Sequence, residues 1–213
     1  MRIFKIELQN INSLKSDTPV VIDFEGDKFQ DVGLYAITGS TGAGKTTILD
    51  AITIAMYHRV PRFDKSNIRA GLEDVVSYGA DGAMARVSFE NKGIRYEAQW
   101  NIRLTAKTGK RLKNPIERVR LKNLSTEKII AEKKQEVQAQ IREITQLTYG
   151  QFLRSVILAQ GEFAAFLSAN AKDKGTLLEQ ITGEAIYKKI GEAVNDKIRT
   201  EREKLNEIRA ACN

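Results

Sequence analysis

Apolar and polar residues alternate at the start of the chain. In Arg2–Gln9, RIFKIELQ, the alternation sets Phe4, Ile6 and Leu8 against Ile3, Lys5 and Glu7, the period-two pattern of a half-buried strand. Pro19–Phe24, PVVIDF, predicts a second strand, and the β-prone run Gly33–Thr38, GLYAIT, predicts a third. After a glycine-rich turn comes TILDAITIAMYH, Thr47–His58, apolar and free of glycine and proline, which predicts a helix. Further on, ARVSFENKGIRYEAQWNIR (Ala85–Arg103) holds two strand-like runs hinged at Asn91-Lys92-Gly93, a strong hairpin signal. The polar KTGKRLKNP (Lys107–Pro115) predicts a loop, after which IERVRLKNL alternates again. From Thr126 onward there is no proline, and the pattern turns helical, with Ser168 and Asn170 as helix starts and Gly183 as a stop.

The turn before the first helix carries the most chemistry. Gly39, Ser40, Thr41, Gly42, Ala43, Gly44, Lys45 and Thr46 fit G-x-x-x-x-G-K-[ST] at every fixed position, with Thr47 following. Glycines let the backbone wrap an anion, and the wrapped N–H groups and helix N-terminus point at phosphates. Lys45 is placed to reach the β- and γ-phosphates of a nucleotide, and Thr46 to give its hydroxyl to Mg²⁺. Strands feeding a phosphate loop and helix indicate an α/β nucleotide-binding core.

Composition narrows the class. With 213 residues, 42% hydrophobic and 29% charged, the chain has enough apolar material for a real core. No apolar run approaches the roughly 20 residues that span a bilayer, and the N-terminus lacks the apolar centre of a signal peptide. The single cysteine, Cys212, rules out an intramolecular disulfide framework and fits a reducing compartment, so the cytosol is expected.

The net charge of +7 is concentrated. Arg103, Lys107, Lys110, Arg111, Lys113, Arg118, Arg120 and Lys122 lie within twenty residues and face Glu117 alone. Such a stretch suggests a polyanion, with Lys107, Lys110, Arg111 and Lys113 as the candidate DNA contacts, although a solvated hairpin gives the same pattern. Tyr96 and Trp100 could stack on bases or fill the core; strand aromatics more often do the second. His58, the only histidine, is expected to be structural.

Half of a hydrolytic site is missing from this pattern. No apolar strand after Thr46 ends in the acidic residue that phosphate-loop hydrolases use to hold Mg²⁺. SVILAQGEF (Ser155–Phe163) does end an apolar run in Gln160, which could reach a metal or a water, or cap a helix. In the last thirty residues Ile198, Leu205 and Cys212 recur every seven, with Glu201 and Ile208 between them, a weak heptad or a terminal surface helix.

ITGSTGAGKTTILDAI, SVILAQGEFAAFL and LLEQITGEAIYKKI, together with NINSLKS after the first strand, resemble the N-terminal segment of the SbcC family, SMC-like ABC-class ATPases of bacterial double-strand-break repair. The resemblance runs from the first residues to the last. It implies an α/β fold: a P-loop ABC-type ATPase half-head, the N-terminal lobe over 1–183, with a β-rich layer, and the start of a coiled-coil helix over 184–213. ATP and Mg²⁺ are the implied cofactors. Gly39 to Thr47 would bind nucleotide; Gln160 would be the Q-loop glutamine touching Mg²⁺ and the attacking water; Asn12 and Ser13 would border the nucleotide. The implied partners are the chain's own C-terminal lobe, a second head joined through ATP, an SbcD-type nuclease and double-stranded DNA, in the bacterial cytoplasm near the nucleoid and away from membranes. The remaining catalytic groups would sit on the other lobe, so this segment alone is expected not to turn ATP over. A chromosome-organising SMC-type ATPase without nuclease is the alternative, and a phosphate-loop kinase a more distant one.

Overall fold

The alternation of the first strand becomes one row of a six-stranded antiparallel sheet. A computed structural model describes residues 1–29, 32, 34–64, 70–106, 108–157 and 185–211. Gln160, Lys107 and Cys212 lie outside these. The strands are β1 (Arg2–Gln9), β2 (Val20–Asp23), β3 (Gly82–Asn91), β4 (Ile94–Thr105), β5 (Arg111–Asn123) and β6 (Lys128–Ala131), in the spatial order β2-β1-β3-β4-β5-β6. The helices are α1 (Lys45–Tyr57), α2 (Pro61–Asp64), α3 (Lys134–Thr145), α4 (Tyr149–Ser155) and α5 (Ala185–Ala211). The chain is a mixed α/β fold.

Cross-strand register explains the core. Leu8, Ala85, Trp100 and Val119 face one another across β1, β3, β4 and β5, and Ile6, Val87, Ala98 and Leu121 form the next row. In the first row the small Ala85 stands between Leu8 and Trp100, which lets the large side chains interdigitate. Trp100 is fully buried, and its indole Nε1 donates to Glu117 Oε1 at 2.8 Å, so it belongs to the core and not to a stacking surface. α1 and α3 pack on this sheet, with Ala51, Ile54, Ala55 and Met56 of α1 and Val137 and Ile141 of α3 wholly buried. Truncating Ile54 or Met56 to alanine would cost about 2–5 kcal/mol.

The other rows of the same strands are ionic. Glu7 accepts from Lys5 at 2.6 Å and from Arg86 at 2.9 Å, and Arg86 and Arg120 flank Glu97 at 3.9 Å each. Lys122 pairs with Glu127. Arg120 and Lys122 of the basic stretch are therefore engaged by carboxylates along the sheet.

Two expectations about strands are corrected. Residues 34–40 carry no regular structure, and Leu34, Tyr35 and Ile37 are exposed, because no described strand offers them a ladder of hydrogen bonds. Rings hold this segment instead: Tyr35 lies 5.2 Å from Phe24 and 5.4 Å from Phe29. Conversely, β5 begins at Arg111, inside the stretch expected to be a loop. Arg111 pairs with Thr105 but Ile116 with Arg103, so Leu112–Pro115 bulge outward and Pro115 occupies a place that asks for no N–H donor. The hairpin at Lys92-Gly93 forms as expected, with φ of 51° and 76° suiting the two-residue turn.

By contact, the chain divides into Met1–Tyr149 and Gly150–Asn213. The second unit contains α5, 27 residues and roughly 40 Å long, whose Ile190, Val194 and Ile198 form an exposed stripe at four-residue spacing. No helix among the described residues is long and apolar enough to cross a membrane.

His58 ends α1 in the left-handed conformation (φ 55°), its N–H bonded to Ile54 O at 3.0 Å. The ring is 7% exposed, and neither nitrogen has a hydrogen-bond partner among the described residues. Burial lowers its pKa from 6.5 to about 4, with nearby Lys134 adding to the effect and Glu117 opposing it. A depressed histidine binds protons only after unfolding, so the stability it permits is full above pH 6.5 and falls as pH drops from 6.5 to 4, by roughly 3 kcal/mol. His58→Asn keeps the left-handed turn and removes the titration. Urea unfolding at pH 7 and pH 4.5 should show the variant losing markedly less stability than the parent; equal losses would assign the acid sensitivity elsewhere.

Candidate nucleotide-binding site

The start of α1 is left open for an anion. Its N-cap is Gly44, which offers no side-chain cap, and its first turn contains no acidic residue. Among the described residues, no side chain meets the orphan amides and the positive end of the helix. Gly42 and Gly44 hold φ of 83° and 87°, bending the backbone so that the loop wraps before the helix starts. Lys45 Nζ donates to Gly39 O and Ser40 O, both at 2.7 Å, which folds the loop around its own cation. Thr46 is exposed and Thr47 buried, one facing the cleft and the other the core.

A cleft of about 320 Å³ opens here, lined by Asn12, Ser13, Gly42 to Thr47 and Arg62. The segment after β1 reaches it through two left-handed asparagines, Asn10 and Asn12 (φ 54° and 51°), with buried Ile11 between them. Asn12 N donates to Val75 O at 2.7 Å, and Ser77 Oγ donates to Asn12 O at 2.8 Å. Leu14 then lies beneath the phosphate loop. A Cβ on Gly44 would come within 2.6 Å of Leu14 Cγ, so the glycine answers both a backbone angle and a packing contact.

Two residues at the cleft carry no sequence motif. Asp50, one turn beyond Thr46 on α1, is 3% exposed. Burial pushes its carboxyl up from the ordinary range, opposed by the Arg62 charge and a hydrogen bond from Asn12. Arg62 pairs with Asp50 at 3.2 Å and donates to Asn12 Oδ1, while Asn12 Nδ2 donates to Asp50 Oδ2 at 3.2 Å. Asp50 lies within the segment ITGSTGAGKTTILDAI and is the one carboxylate of α1, but the phosphate-loop pattern gives it no role; for Arg62 the sequence offers no signal.

The donor set suits Mg²⁺ sparingly held. Thr46 provides one hydroxyl, and no cluster of three or more metal-ligating side chains exists among the described residues. Mg²⁺ commonly takes one or two protein ligands and fills its octahedron with phosphate oxygens and water. Away from this cleft, Lys110, Arg111 and Lys113 are exposed at the end of the β4–β5 pair. Arg111 lines a separate depression with Glu73, Asp74 and Asp81, which offset part of its charge.

Residues 5–213 match the family model described as an AAA domain. The chain belongs to this family. Nucleotide binding goes with that membership. The chain is 36% identical over 213 residues to the SbcC subunit of the nuclease SbcCD from Rhodobacter capsulatus, covering 92% of this chain and 17% of that protein. It is 33% identical over 209 residues to the protein of the same name from Pseudomonas aeruginosa, covering 91% of this chain and 17% of that protein. A probable DNA double-strand break repair Rad50 ATPase of Aquifex aeolicus is 31% identical over 188 residues, covering 88% of this chain and 17% of that protein. The chain thus spans about a sixth of the length of the relatives it matches.

Gly44→Ala should raise the dissociation constant for Mg-ATP tenfold or more, because the left-handed angle costs an alanine roughly 1–2 kcal/mol before the clash with Leu14 is counted. Calorimetric titration of the variant against the parent measures this, and unchanged affinity would mean the loop reshapes freely.

Proposed function

We propose that the chain is the nucleotide-binding N-terminal lobe of an ATPase that works with a nuclease partner on DNA double-strand breaks and hairpins. The observation that carries this is the α1 N-terminus, glycine-capped, free of acid and faced by Lys45, in a chain whose relatives are named for SbcCD and Rad50. ATP is the ligand, with Mg²⁺ supplying charge neutralisation between the phosphates when bound. Loop amides and the helix start would hold the phosphates; Lys45, now on Gly39 O and Ser40 O, would turn to them, and Thr46 would give its hydroxyl to the metal. Gln160 has the part of orienting the attacking water, and Ser13 that of bordering the nucleotide. Binding is itself the switch: ATP joins two heads, and head pairing regulates the nuclease and DNA binding.

In this proposal residues 1–183 form the lobe and 184–213 begin an antiparallel coiled coil. The exposed stripe Ile190, Val194 and Ile198 on α5 supports a helix that expects a partner. The other participants are the chain's own C-terminal lobe, a second head, an SbcD-type nuclease near the coil base, and duplex DNA in the cytoplasm.

Lys45→Ala in the complete protein should weaken ATP binding roughly a hundredfold, since a charge-assisted contact to phosphate is lost. Gln160→Ala should bind ATP about as the parent does and hydrolyse it roughly tenfold more slowly. Equal loss of affinity in both would contradict this division of roles.

Duplex DNA should meet Lys110, Arg111 and Lys113 through its phosphates, without base reading, because they project from strand ends and a loop and not from a recognition helix. Arg120 and Lys122 contribute less, being engaged by Glu97 and Glu127. Changing the three to glutamate should weaken binding to all sequences alike and flatten its salt dependence by about 0.9 in log–log slope per lost phosphate contact. Unchanged affinity and slope across several salt concentrations would make this end of the sheet a solvated hairpin only.

A further inference from the structure

Arg62 is a cation in the wall of the phosphate cleft that no sequence motif or mechanistic step yet employs. It sits on α2, whose first residue is Pro61, and the chain reversal after His58 returns it toward the first half of α1. Its contacts to Asn12 Oδ1 and to Asp50 Oδ2 both run through Nη2, so Nε and Nη1 are not used by them. The pair is lopsided: the Asp50 side chain is 4% exposed and that of Arg62 47%. A half-exposed guanidinium keeps most of its hydration while it neutralises a buried carboxylate, and its remaining donors stay within reach of a further anion. Here the acid is buried, the asparagine bridges both partners, and the base lines the same cleft as Lys45 and Thr46.

We infer that Arg62 is a second phosphate-binding cation of this site, and that Asn12 and Asp50 are positioning residues that aim it. This rests on the nucleotide reading above and adds to it a ligand preference: two cations lining one cleft suit a polyphosphate better than a single phosphate. Guanidinium geometry matches two phosphate oxygens at once, which an ammonium cannot do. It also changes the part of Asn12, whose side chain is engaged by Asp50 and Arg62 and reaches the nucleotide through the arginine.

The test uses the complete protein, with Mg-ATP and inorganic tripolyphosphate as probes. Arg62→Ala should weaken both probes by a similar factor, tenfold or more, and Arg62→Lys should recover only part of it. Arg62→Ala also strands a buried carboxylate, so Asp50→Asn/Arg62→Ala is the control that relieves it. The double variant should regain the parent's unfolding midpoint and keep the affinity defect. If it binds Mg-ATP as the parent does, Arg62 merely neutralises Asp50 and the inference fails. If Arg62→Ala binds normally while Lys45→Ala does not, the inference again fails and the nucleotide site stands. If the parent itself binds neither probe, the nucleotide reading falls and this inference with it.

Discussion

The rest of the site depends on one helix being held firmly by its sides while its first turn is left without a partner. α1 has no side-chain cap and no acidic residue at its start, and its glycine cap costs only a few tenths of a kcal/mol relative to serine or aspartate. Its position is fixed instead by Ala51, Ile54, Ala55 and Met56, all fully buried against the sheet. Packing along the shaft thus substitutes for capping at the tip, and the unmet amides stay aimed in one direction. Leu14 beneath Gly44 adds a floor to the loop, linking the end of β1 to the turn that precedes α1.

Charge is sorted by place in a similar way. On the polar rows of the sheet, Lys5, Glu7, Arg86, Glu97 and Arg120 form a chain of alternating sign. Across the core, Glu117 serves Trp100 and Lys134 near the buried ring of His58. Of the bases in the Arg103–Lys122 stretch, Arg120 and Lys122 on the strand are engaged by carboxylates, while Lys110 and Lys113 at its open end are left to solvent. A tally of charge along the sequence reports all of them equally. The register of β4 against β5 brings Arg120 to Glu97, and the β5–β6 turn brings Glu127 to Lys122.

What can be read in advance follows from local rules. The period of two in β1 and β4, the Lys92-Gly93 turn and the phosphate-loop spacing each need only a few neighbouring residues, and the structure has β1, the β3–β4 hairpin and α1 where those rules place them. The misses involve residues far apart. GLYAIT has strand propensity, yet a strand exists only where another chain segment supplies its ladder, and propensity cannot say whether one will. Pro115 argues for a loop, and a bulge accommodates it. Asp50 and Arg62 meet only because α1 ends at His58 and the chain doubles back, a reversal that leaves no mark at either residue. Gln160 and Lys107 rest on pattern alone and lie outside the described residues.

The unpaired run at residues 34–40 has a consequence for the life of the polypeptide before it meets anything else. Leu34, Tyr35 and Ile37 combine exposure, apolarity and β propensity, and such a run is a template on which another copy can add a strand. The ring cluster of Phe24, Phe29 and Tyr35 anchors the segment beside β2, with Asp23, Glu25 and Asp27 along its approach and Glu25 held by Arg95. Charges placed beside an exposed apolar run are the arrangement that guards a chain against strand-to-strand association.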